Sequence, residues 1–80
     1  MQPLTPRERE ILHLIPTHPR VDEQASVLGI SHSTVRKHRT NICAKLGLHG
    51  TAGLIAHAHA LSLSHATLSI HRTVPTAHPP

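Results

Sequence analysis

Arg36, Lys37 and Thr40 stand in the segment Ile30 to Leu46, ISHSTVRKHRTNICAKL, whose residue types suit the gripping of a polyanion better than the making of bonds. On a helical wheel of about 100° per residue they share an arc with Ser33 and Ala44, roughly opposite Val35, Ile42 and Leu46. The aliphatic side is the one to bury. The opposite side is basic, polar and small, as a helix laid in a DNA groove requires. A guanidinium at Arg36 can take guanine O6 and N7 bidentately, a contact worth roughly 1–3 kcal/mol of discrimination, while Lys37 is less geometrically selective and Thr40 can meet a thymine methyl. The competing reading of Arg36 and Lys37 is a solvated helix face, the common fate of surface charge.

Other chemistries find less support. Ten histidines invite a metal, yet no two stand four apart on a helix, His57 and His59 point to different faces, and Cys43 is the only cysteine. No metal or other cofactor is expected. A milder consequence of the histidine count is that protonation below about pH 6.5 adds positive charge and strengthens binding to DNA, which equal affinities at pH 6 and pH 8 in matched salt would discard. No nucleophile sits beside a credible base in the sequence, no glycine-rich phosphate loop occurs, and Glu8 and Glu10 are explained by a helix start, so the chain does not read as an enzyme. Cys43 reads as a small, partly buried apolar residue, with redox sensing a minor alternative.

The whole chain points the same way. Its 80 residues make one small domain with a marginal core and no room for a buried catalytic cavity. The net charge of +4 is unevenly spread: all four acids, Glu8, Glu10, Asp22 and Glu23, precede residue 24, while Arg36, Lys37, Arg39, Lys45 and Arg72 follow it. The basic end should seek a polyanion, nucleic acid before a membrane surface. Phe, Tyr and Trp are absent, so unpaired bases have no aromatic platform and duplex DNA is the better partner. A single cysteine, with no signal peptide and no membrane-spanning apolar run, predicts a reducing cytoplasm.

Four helices should position these residues. Thr5 as N-cap, Pro6 at the first helical position and Glu8 closing a capping box start the first, whose Glu8, Ile11, Leu12 and Ile15 share one side before Pro16 stops it. The second runs from about Asp22 to Leu28, with Ala25 and Leu28 inward and Gly29 as a left-handed cap. Ser31 caps the third, which ends at Lys45 or Leu46 before Gly47, completing a helix, a three-residue turn and a helix. Thr51 can cap a fourth, Ala52 to about Leu61, whose Leu54, Ile55, Ala58 and Leu61 form an apolar stripe suited to a dimer interface. Residues 62–80 turn to Ser, Thr, His and Pro and read as a disordered tail, with Leu68 to Val74 hinting at a strand that nothing else could pair with.

Taken together, Leu4-Thr5-Pro6-Arg7-Glu8-Arg9-Glu10-Ile11-Leu12, Leu28-Gly29-Ile30-Ser31, Thr34-Val35-Arg36-Lys37-His38-Arg39-Thr40-Asn41-Ile42 and Lys45-Leu46-Gly47 resemble the LuxR/GerE-type helix-turn-helix domain over about residues 4–61. The resemblance implies an all-α, four-helix domain of a cytoplasmic bacterial transcription regulator of response-regulator output type, with the third helix in the major groove and a homodimer formed through the fourth. It also implies action on RNA polymerase and an input domain that these residues do not supply. Carried over by position, base contacts fall on Arg36, Lys37 and Thr40, and backbone contacts on Ser31, Ser33, Thr34, His38 and Lys45. His38 has a second reading, packing against the second helix.

Three departures stand out. The family usually has Gly where His18 stands, Ser-Asn-Lys where Arg20-Val21-Asp22 stands, and a buried Ile where Gln24 stands. An inward Gln24 needs a hydrogen-bond partner to avoid a penalty of roughly 1–3 kcal/mol. The rival function is a helix-turn-helix module that docks to another protein through its fourth helix without reading DNA.

Overall fold

A computed structural model of the chain describes residues 2–77, with side chains described through Ser64. Four helices follow one another: α1 (Pro6–Leu14), α2 (Val21–Leu28), α3 (His32–Leu46) and α4 (Gly50–Ala77), and no strand occurs among the described residues. α3 is the central element, touching α1, α2 and α4, while α1 also touches α4.

The capping signals determine where the helices begin. The Thr5 hydroxyl accepts from the Glu8 N–H at 3.1 Å and the Glu8 carboxylate accepts from the Thr5 N–H at 2.9 Å, a complete capping box. α2 starts at Val21, one residue ahead of the expected Asp22. Its cap residue, Arg20, has no acceptor in its side chain, so only the return bond forms, from Arg20 N–H to Glu23 Oε1 at 3.1 Å. Ser31 caps α3 by accepting from the Thr34 N–H at 3.1 Å.

Glycines end the two helices of the motif. Gly29 and Gly47 sit at φ of 66° and 68°, the left-handed region that side chains with a Cβ enter at a cost. Their N–H groups, and those of Ile30 and Leu48, turn back to the Ala25 and Cys43 carbonyls. His18 needs no such geometry: no residue other than glycine has positive φ among the described residues, and the α1–α2 connection closes by His18 N–H to Leu14 O.

The core is aliphatic. Ile11, Leu12 and Ile15 from α1, Ala25 from α2, Val35 and Ile42 from α3, and Leu54 and Ala58 from α4 are all buried together. Burying an aliphatic side chain of this kind contributes about 1.5–3 kcal/mol each, and no aromatic ring adds to the set.

α4 differs most from expectation. Its helical backbone continues past the expected end at Leu61 to Ala77 and across the hinted strand at 68–74; residues 78–80 lie outside the described residues. Ala58 is the last buried side chain among those described, and every residue from His59 to Ser64 is exposed. From His59 to Ser64, then, the helix rests on local hydrogen bonding without a core behind it, a marginal situation in water.

Candidate nucleic-acid interface

α3 divides as its sequence periodicity demands. Val35 and Ile42 are fully buried and Leu46 is half-buried, whereas Ser33, Arg36, Lys37, Thr40 and Ala44 are all exposed. The Thr40 hydroxyl donates to the Arg36 carbonyl at 3.0 Å, which leaves its methyl as the group to offer a groove. Small residues at Ser33 and Ala44 keep the face low enough for close approach.

The electrostatics of that face follow from where the carboxylates are held. Glu8 pairs with Lys45, Glu10 with Arg7, Asp22 with Arg20, and Glu23 accepts from the Arg20 N–H. α3 contains no acid, and neither Arg36 nor Lys37 makes an ion pair among the described residues. Two cations therefore project from one patch of helix with no internal counterion.

The other cations of α3 serve the fold. Arg39 is buried, its Nε donating to Gln24 Oε1 at 3.0 Å and its Nη2 to the Pro19 carbonyl; burial pushes its pKa down. Gln24, fully buried where the family usually has an aliphatic residue, donates in turn from Nε2 to the Ile11 carbonyl at 2.9 Å. The required partner of Gln24 is thus present on both sides, and the chain Ile11–Gln24–Arg39–Pro19 fastens α1, α2 and α3 to one another. On the wheel Arg39 lies about 40° from Val35, on the buried side, which was the signal separating it from Arg36 and Lys37.

Lys45 requires a correction. Expected to contact the DNA backbone, its ammonium instead lies 2.7 Å from Glu8 Oε1 and 3.3 Å from the Pro3 carbonyl. The Lys45 side chain is 17% exposed and that of Glu8 4%, so the charge is neutralised within the domain. That ammonium, together with the Thr5 N–H, holds the Glu8 carboxyl below its ordinary value of 4.5.

The remaining expected backbone contacts gather at the start of α3. Ser31 Oγ lies 2.8 Å from Thr34 Oγ1 and 3.2 Å from Ser33 Oγ, with Ser31 and Ser33 exposed and Thr34 half-buried. His38 is half-buried on the flank of the helix. The expected dimer stripe is divided. Leu54 and Ala58 are 1% and 2% exposed and belong to the domain's own core, which corrects their assignment to an interface; Ile55 is half-buried and Leu61 is exposed. Cys43 is half-buried with its Sγ 3.9 Å from the Gly50 carbonyl, and no group of three side chains able to hold a metal occurs among the described residues. No helix is long and apolar enough to cross a membrane among the residues searched.

Known proteins share this pattern. The chain is 52% identical over 56 residues to the transcriptional regulatory protein MctR of Rhizobium johnstonii, a match covering 70% of this chain and 26% of that protein. It is 44% identical over 52 residues to the transcriptional regulatory protein TdiR of Thauera aromatica, covering 65% of this chain and 23% of that protein. To the spore germination protein GerE of Bacillus subtilis it is 47% identical over 47 residues, 59% of this chain and 64% of the relative. The chain thus spans about a quarter of the length of the first two relatives. No solved structure gives a significant match. Residues 2–58 match the family model described as "Bacterial regulatory proteins, luxR family", and the chain belongs to that family.

Proposed function

We propose that this chain is the duplex-DNA-binding domain of a bacterial transcription regulator, reading sequence with α3 in the major groove. The carrying observation is the exposed α3 face, where Arg36 and Lys37 project without counterions among the described residues while every Asp and Glu side chain is engaged elsewhere. Arg36 reads guanine, Lys37 supplies a less directional cation, Thr40 presents a methyl, and Ser31, Ser33, Thr34 and His38 lie near backbone oxygens. Lys45 leaves this set and anchors α1 to the end of α3. The protein acts in the cytoplasm as a homodimer on two half-sites, joined through the outward side of α4, where Ile55 and Leu61 retain apolar surface. Regulation proceeds through RNA polymerase, under the control of an input domain outside these residues.

Selection of bound sequences from a random duplex pool tests this reading. Enrichment of a two-fold symmetric motif is the expected result. Absence of any enrichment would favour the rival, docking to another protein through α4.

A further inference from the structure

α2 has little apolar packing to fix its seat. Of its eight residues only Gln24 and Ala25 are buried, with Val21 and Leu28 packed partly against the core, and its main packing partner is α3. Ala25 offers a single methyl, and the chain has no aromatic ring to key the helix into one position. Aliphatic burial is non-directional, so by itself it sets the angle between α2 and α3 only loosely.

The fully buried Gln24 supplies the direction. Its Nε2 donates to the Ile11 carbonyl of α1 at 2.9 Å, its Oε1 accepts from Arg39 Nε of α3 at 3.0 Å, and Arg39 Nη2 donates to the Pro19 carbonyl ahead of α2. The Ile15 N–H, which a continued helix would aim at the Ile11 carbonyl, turns to the Leu12 carbonyl at 3.3 Å. Useful hydrogen bonds span about 2.7–3.2 Å and weaken steeply off line, so a shift of about 1 Å between α2 and α3 breaks them. A core can do without such a network, since apolar residues of similar volume often hold a fold as well or better. What the polar chain adds is orientation. Arg39 stands within the turn of α3 that carries Arg36, Lys37 and Thr40, three residues from Arg36 and about 60° from it on the wheel.

We infer that Gln24 and Arg39 are positioning residues for sequence reading, whose shared hydrogen bonds set the angle of α3 against α2 and thereby the aim of Arg36 and Thr40 at base edges. This rests on the DNA-binding reading above. Neither residue reaches a base itself, since Gln24 is 0% and Arg39 8% exposed. A bidentate guanine contact fails under the same shift of about 1 Å that breaks the network. Attraction between cations and phosphates tolerates that shift and carries no base preference. Loss of the network therefore lowers preference for the selected motif and spares the grip on unrelated duplex.

The test compares the intact chain with two variants. Gln24→Met removes both bonds of Gln24 and keeps every charge, and Gln24→Ile/Arg39→Met replaces the whole network by apolar side chains. Kd is measured on the motif from the pool selection and on unrelated duplex, at a temperature where circular dichroism shows each protein folded. The ratio of the two affinities should fall about tenfold in both variants, with binding to unrelated duplex within about threefold of wild type. Tm should be lower in Gln24→Met, where the Arg39 Nε is stranded, than in the double variant, so that a shared loss of preference does not follow stability. Arg36→Ala should cost less on the motif in either variant background than in the wild type, because a misaimed guanidinium has less to lose. A wild-type affinity ratio in either folded variant would overturn the positioning role, as would an equal fall on both duplexes or an undiminished cost of Arg36→Ala. Failure of both variants to fold would assign the network to the fold alone and overturn it too. A wild type with no preference for any duplex would instead overturn the DNA-binding reading, and the positioning role with it.

Discussion

Lys45→Met keeps the aliphatic length of the side chain and removes the charge, and its effect separates two roles that look alike in the sequence. If Lys45 anchors Glu8, its loss leaves Oε1 of a carboxylate that is 4% exposed with only the Thr5 N–H. Breaking a fully buried ion pair from one side costs about 3–5 kcal/mol. The Lys45 side chain is 17% exposed, so partial hydration offsets some of this, and about 2–3 kcal/mol is the expected loss. For a domain of this size that corresponds to a fall in Tm of roughly 10–20 °C. Thermal unfolding followed by circular dichroism reads this directly, and Glu8→Gln in the Lys45→Met background should cost far less than the two single changes added together. The slope of log affinity against log salt should not change, since the ammonium neutralises no phosphate. A Tm within about 2 °C of wild type, together with a slope shallower by about one, would refute the anchoring role and restore Lys45 to the DNA backbone.

Further outcomes follow from the same geometry. Because the Glu8 carboxyl is held below 4.5 in the folded domain, its contribution to stability is present above that value and is lost as pH falls through the lower folded one; Glu8→Gln should flatten this acid limb in urea titrations at stepped pH. Gln24→Ile, which restores the family's usual residue, strands the Arg39 Nε and should destabilise by about 1–3 kcal/mol, whereas adding Arg39→Met should recover part of the loss, a coupling visible in a denaturant double-mutant cycle. Arg36→Ala should cost roughly 1–3 kcal/mol at one position of the selected motif, and a uniform loss over all duplexes would make it a backbone contact. Amides from His59 to Ser64 should exchange far faster than those of α1 to α3 in a hydrogen-exchange experiment, since no side chain after Ala58 is buried among those described.

What was legible in the sequence is what depends on neighbours along the chain. Thr5 with Glu8, Ser31, Gly29 and Gly47 announced the helix ends because capping is a three- or four-residue affair. The split of α3 was equally local, needing only its period. Partners distant in sequence were not legible: Lys45 meets Glu8 across 37 residues and Arg39 meets Gln24 across 15, and a cation beside a basic face reads the same whether or not an acid awaits it. Leu54 and Ala58 illustrate a related limit, since an apolar stripe does not say whether its own domain or a second copy will cover it. The family resemblance extended the reading at Arg36, Lys37 and Thr40, where residue types and position agree, but gave no sign that Lys45 has an acid of its own domain, Glu8, to pair with.

Amide and arginine side-chain NMR shifts of the 15N-labelled chain, followed during titration with the selected duplex, test the central claim most directly. The account predicts that the largest changes fall on His32 to Thr40, including the Arg36 Nε–H, with Arg39 Nε–H little moved because Gln24 holds it inside. Changes concentrated on α4 with α3 silent, or a large Arg39 response beside an unmoved Arg36, would contradict it.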